Sequence, residues 1–120
     1  MFGVSSKDGY TELVPGISIK TLVHGKNSLM VEFLLAKGAL LPEHDHAPEQ
    51  TGYLVKGAMR LFINGKQRDL KPGDSWNIES NIRHKAEILE DSIAVEVFSP
   101  ARDDYLQYVW QEDRGSFKTQ

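Results

Sequence analysis

Residues 38–57 read Gly-Ala-Leu-Leu-Pro-Glu-His-Asp-His-Ala-Pro-Glu-Gln-Thr-Gly-Tyr-Leu-Val-Lys-Gly, and the fold turns on this stretch. His44 and His46 stand two apart. On an extended segment both imidazoles project from one face, because strand side chains alternate. Gln50 follows after three residues and offers a neutral side-chain oxygen. Glu43 and Asp45 then point the other way, as solvent-facing groups or as supports for the ligands. His84, far along the chain, completes three imidazoles and one oxygen, a donor set that suits one divalent transition metal: zinc, nickel, iron or manganese. A polar loop carrying two histidines is the plainer alternative, and spacing alone admits both. His24, isolated beside a glycine, reads as a surface or satisfied core residue.

Outward from this stretch the chain reads as all-β. Apolar runs rich in β-branched and aromatic residues, at 17–23, 29–35, 52–55, 58–63, 67–70, 75–78, 84–89 and 93–98, alternate with Gly, Pro, Asn and Asp. Asn64-Gly65 is a strong hairpin signal, since a type I′ turn needs positive φ at both central positions. Lys71-Pro72-Gly73-Asp74 marks a second tight turn. Many short strands imply a sandwich, barrel or jelly roll. After Pro100 the pattern changes. Leu106, Val109 and Trp110 fall at helical spacing behind Asp103 and Asp104, which predicts a short terminal helix or arm over 103–111.

Composition narrows the function classes. The 120 residues suffice for one domain, with a core barrel over about 17–100. A net charge of −3 and the lack of a basic run argue against nucleic acid. With no cysteine, a metal must be held by His, carboxylate or amide groups. The opening residues lack a basic-then-apolar leader and no stretch is long and apolar enough for a membrane span, so cytoplasmic residence is the expectation. Open sheet edges would be satisfied by pairing across a two-fold axis, and light scattering of the expected homodimer should report twice the chain mass.

Two motifs then agree in order and spacing. Gly38, His44-x-His46, Gln50 and Gly57 resemble the first motif of the cupin superfamily, with Gln50 where Glu is usual. Gly73 and His84 resemble the second, with Glu79, Asn81 and Ile88 departing from its usual Pro, Gly and Asn. The resemblance implies a cupin double-stranded β-helix, a jelly-roll barrel. Glu49-Gln50 with Tyr53, and the run Glu96-Val97-Phe98-Ser99-Pro100-Ala101-Arg102-Asp103-Asp104-Tyr105, look like the KdgF family of pectin- and alginate-degradation cupins. That family opens the ring of 4,5-unsaturated monouronates to a linear keto-sugar acid. The resemblance implies His44, His46, Gln50 and His84 as metal ligands, Glu96 as the catalytic acid where the family has Asp, Phe98 as an aromatic wall and Arg102 as the substrate-binding arginine. Tyr53 and Trp76 are further pocket candidates.

The residues themselves are compatible with those roles. Alternation puts Ala94, Glu96 and Phe98 on one inward face, where a half-buried carboxyl would have a raised pKa and transfer protons near neutrality. A solvated strand position is the alternative. Arg102 is suited to clamp a carboxylate through two parallel hydrogen bonds, or to pair with Asp103 or Asp104. Glu32, inside the apolar run 29–35, reads as an exposed edge charge. The leading expectation is a metal-dependent enzyme acting on a sugar acid. A cupin dioxygenase on an aromatic substrate and a non-catalytic binding module are the alternatives.

Overall fold

The computed structural model describes residues 1–109 and is all-β as expected, but two of its eight strands, over 11–14 and 40–44, are not among the expected runs. The eight are β1 (Thr11–Val14), β2 (Ile17–His24), β3 (Leu29–Leu35), β4 (Leu40–His44), β5 (Glu49–Ile63), β6 (Lys66–Leu70), β7 (Ser75–Ile78) and β8 (His84–Ser99). Four expected strands have merged into two: 52–55 with 58–63 in β5, and 84–89 with 93–98 in β8. The breaks look like turns in sequence, but they are corners. Register slips three times between Leu54 and Met59, where Gly57 sits at φ 96°. A Cβ on Gly57 would lie 2.1 Å from Ser92 Oγ and 2.4 Å from the Asp91 carbonyl oxygen. Only glycine lets the two long strands stay this close as they bend.

That corner makes the fold a roll. β5 and β8 pair antiparallel along their whole length, from Glu49 opposite Ser99 to Ile63 opposite His84. Beyond the corner each takes new neighbours. The first half of β8 pairs with β4 and the second with β3, while β5 pairs first with β7 and then with β6. The result is one continuous antiparallel sheet wrapped into a jelly-roll barrel. Asn64 and Gly65 turn the β5–β6 hairpin at φ 50° and 81°, as the sequence predicts.

Alternation fills the interior. Ile17, Leu54, Ile78, Ile88 and Ala94 are each at most 3% exposed and form the main cluster. A second cluster, Ile19, Leu29, Val31 and Phe98, closes one end and carries Tyr105, Leu106 and Tyr108 against it. These last residues belong to the terminal segment, where the expected short helix or arm is a 3₁₀ helix over Asp103–Tyr108. Val109 follows in a single parallel bridge to Thr21, and Thr21 Oγ1 donates to the Tyr105 carbonyl at 2.7 Å. The segment therefore acts as the expected arm over the barrel. Trp110 and Gln111, the end of the expected helix, lie outside the described residues. Among the described residues no helix is long and apolar enough to cross a membrane.

Glu32 corrects its reading as an edge charge. β3 runs between β2 and β8, so Glu32 lies on the outer face of an interior strand, opposite Lys20. The N-terminal segment covers this pair. Lys20 Nζ donates to the carbonyls of Ser6 and Asp8 at 2.7 and 3.0 Å, and the Tyr10 hydroxyl donates to Glu32. Burial, with Glu32 beside it, pushes the Tyr10 phenol up to about 12.

Candidate metal centre

Pairing of β4 with β8 sets His44 directly opposite His84. His46, two residues beyond His44, completes the group. Ring centroids lie 4.2 Å apart for His44 and His84, 5.0 Å for His46 and His84, and 5.5 Å for His44 and His46. One ligating nitrogen from each lies within 4.8 Å of the others. Each ring is oriented by a backbone carbonyl two residues away: Nδ1 of His44 meets Pro42 O at 2.9 Å, that of His46 meets Pro48 O at 2.8 Å, and that of His84 meets Ile82 O at 2.8 Å. A carbonyl only accepts, so each Nδ1 carries the proton and each Nε2 keeps its lone pair.

Those lone pairs are the test of whether a metal fits. His46 Nε2, His84 Nε2 and Gln50 Oε1 are buried without a hydrogen-bond partner. Buried acceptors are nearly always satisfied, and three converging ones without a donor are the arrangement a divalent cation completes. His24 Nε2 is also buried and partnerless, but it stands at the end of β2 outside the three-histidine group.

Protonation favours the same use. Burial is the largest cause that pushes the His84 imidazole down to about 4, and burial followed by the Arg102 charge lowers that of His46. Both rings are neutral near pH 7 and ready to ligate. This has a consequence for the metal-free protein. An unfolded histidine titrates at 6.5 and folded His84 at about 4, so the unfolded state binds more protons between these values. The His84 contribution is complete above pH 6.5 and is lost as pH falls towards 4. In chelator-treated protein the melting temperature should therefore fall over this interval more steeply than in His84→Gln. Parallel slopes in the two proteins would contradict the shift.

Gln50 links the cluster to an acid. It faces inward from β5, opposite Phe98 of β8, and its Nε2 donates to Glu96 Oε2 at 2.5 Å. That contact explains why position 50 carries an amide. A glutamate there would set two buried carboxylates against each other, and they would have to share a proton. With glutamine the amide divides its groups: Nε2 serves Glu96 and Oε1 is left without a hydrogen-bond partner. Trp76 Nε1 is the second donor to Glu96 Oε2, at 2.8 Å. Glu96 is 8% exposed, and burial pushes its carboxyl above the usual range against the opposing pull of Trp76, Gln50 and Arg102.

Gly52 is a site residue that the sequence reading passes over. It pairs with Trp76 on one side and Glu96 on the other. A Cβ at Gly52 would come within 2.1 Å of the Trp76 ring, so the missing side chain is what lets the indole lie on the strand and reach Glu96. The available signal was a glycine inside a strand pattern, which often marks a close approach. Gly52→Ala should lower stability by about 1–3 kcal/mol through overpacking and shift tryptophan emission. A wild-type melting curve and spectrum would refute that account.

The cluster opens on a cavity of about 300 Å³ lined by His44, Gln50, His84, Trp76, Glu96 and Arg102 among others. Phe98 is also part of the wall, 1% exposed and edge-on to His46. Arg102 reaches the cavity with its side chain 14% exposed, and it is ion-paired to Asp104, not to Asp103. Tyr53 is the correction. It is 50% exposed and points outward, because it stands an odd number of residues from inward-facing Gln50 on the same strand. Asn81 and Ile88 have simple places: Asn81 takes a positive φ of 62°, which asparagine tolerates, and Ile88 is core.

A closed roll with three inward imidazoles and a partnerless amide oxygen defines the class, a small β-barrel around a three-histidine group that could hold a metal ion. The chain belongs to the cupin family, with residues 31–99 matching the cupin domain. Within that family it is similar to the pectin degradation protein KdgF of Dickeya dadantii (strain 3937), with 32% identity over 105 residues that cover 86% of this chain and 96% of the relative. The structure of KdgF from Halomonas sp. superposes with a TM-score of 0.82 at 33% identity, covering 87% of this chain and 96% of that one. An RmlC-like cupin from Shewanella frigidimarina NCIMB 400 gives the same TM-score of 0.82 at 26% identity, covering 87% and 94%. The expected likeness to cupins, and to KdgF among them, is borne out.

Proposed function

We propose that this protein is a metal-dependent enzyme that opens the ring of 4,5-unsaturated monouronates, the sugar acids released when pectin or alginate is cut by lyases. The observation that carries the reading is the Gln50–Glu96 hydrogen bond, which sets a buried carboxyl directly behind the ligand cluster inside one cavity. The likeness to KdgF proteins named for pectin degradation supports the substrate class. A divalent ion held by His44, His46, Gln50 and His84 would supply Lewis-acid polarisation of a substrate oxygen.

The remaining chemistry belongs to the chain. Ring opening is an isomerisation: the bond from the anomeric carbon to the ring oxygen breaks, the anomeric hydroxyl gives up its proton as an aldehyde forms, and C4 gains a proton as the released enolate becomes a ketone. One proton leaves and one arrives. A single group that takes and returns a proton is enough, and no co-reactant is needed. Glu96 fills that role, because its raised pKa brings both protonation states closer to neutral pH. Trp76 and Phe98 wall the cavity and keep water from the reacting atoms, and Arg102 takes the substrate carboxylate.

The direct test is to incubate metal-loaded protein with lyase-derived unsaturated monouronate and follow loss of the enol absorbance. Loss in the metal-loaded sample and its suppression by chelator are expected. No loss on substrates from either pectin or alginate would sink the proposal.

A further inference from the structure

We propose that Asp104 is a positioning residue that presents Arg102 to the carboxylate of a sugar-acid substrate, an inference that rests on the reading of the site given above. Arg102 lines the cavity together with His44, Gln50, His84 and Glu96, yet another carboxylate already grips it. Its Nε donates to Asp104 Oδ1 at 3.1 Å and its Nη2 to Oδ2 at 2.7 Å, which occupies the side-on edge of the guanidinium. A guanidinium carries five N–H groups in one plane. The end-on edge, Nη1 with the second hydrogen of Nη2, is therefore open to a second carboxylate among the described residues.

Two aromatic rings pack against the same guanidinium. Arg102 Cζ lies 4.0 Å from the Tyr105 ring centroid and 5.2 Å from that of Phe98. Tyr105 is itself fixed, edge-on to Phe98 at 5.2 Å and tied through its carbonyl to Thr21. Exposure divides the pair by role: the Asp104 side chain is 57% exposed and that of Arg102 only 14%. An ion pair with one half so exposed adds little to stability. Its consequence is orientation. Arginine has many rotamers, and a guanidinium already fixed by Asp104 and Tyr105 loses that freedom before substrate arrives rather than upon binding. Asp104 also brings a negative charge near the incoming acid. If that repulsion outweighed the gain in order, Asp104 would compete with substrate instead of helping it.

Calorimetric titration of the metal-loaded full chain separates these cases, using saturated D-galacturonate and its methyl ester as probes. The wild-type protein should prefer the acid to the ester. Asp104→Asn should weaken the acid roughly tenfold, with ester affinity and melting temperature unchanged. Arg102→Ala should make acid and ester equal, and Asp104→Asn added to it should change nothing further. The clamp is overturned if Asp104→Asn tightens or preserves acid binding, weakens acid and ester alike, or still acts when Arg102 is alanine. It is overturned too if the wild-type protein does not discriminate acid from ester. Turnover separates the two proposals. If unsaturated monouronates are not converted but the acid-to-ester pattern holds, ring opening fails and the clamp stands. If they are converted and Asp104→Asn keeps the wild-type KM, the clamp alone fails.

Discussion

Glu96→Gln should lower kcat on an unsaturated monouronate by roughly 10²–10⁴ while metal content stays at the wild-type level. The substitution preserves size and an acceptor oxygen. The Gln50 amide and the Trp76 N–H therefore still have an atom to donate to at position 96. What disappears is the ability to hold and release a proton. Since Gln50 keeps Oε1 for the metal position, the ligand set is untouched, and elemental analysis checks this directly. KM should change little, because Arg102 carries the substrate carboxylate in this reading. Glu96→Asp is the informative companion. It restores the residue usual in the KdgF family but shortens the side chain by one methylene, which moves the carboxylate by roughly 1 Å, enough to matter for proton transfer. Improved turnover on one uronate and not another would show that glutamate selects substrate. Unchanged kcat in Glu96→Gln on every uronate would remove the proton-transfer role.

His84→Ala should abolish metal binding, and with it activity. The reasoning starts from the partnerless lone pairs: His84 Nε2 is one of three converging buried acceptors, and its ring is the one packed at 4.2 Å against His44. Removing it leaves two imidazoles and an amide oxygen, too few strong donors to retain a divalent ion against buffer and chelator. Protein purified without an affinity tag should carry about one transition-metal equivalent per chain, and His84→Ala close to none. The circular dichroism spectrum should remain that of a β-protein, since the core cluster does not include His84. Full metal content in the combined His44→Ala/His84→Ala variant would eliminate the site.

Part of this protein follows from short-range rules. Period-two alternation is enough to send Ala94, Glu96 and Phe98 inward, because each strand residue's direction depends only on its neighbours, whereas His46 lies just past the end of β4. The same parity sends Tyr53 away from the cavity, so its outward place is legible once Gln50 is known to face in. The Asn64-Gly65 hairpin is local for the same reason. The tertiary structure decided what depends on two distant segments meeting. Continuity of β5 and β8 through the Gly57 corner needs Asp91 and Ser92 packed against a missing side chain, and Gly52 acquires its role only when Trp76 of β7 lies on it. His84 joins His44 through strand register, and Glu96 finds its two donors on two other strands. Arg102 had two acidic neighbours in sequence, and only the 3₁₀ geometry of residues Asp103–Tyr108 chose Asp104. Local chain direction is encoded residue by residue, whereas register, close approach and partner choice are settled by packing the whole roll at once.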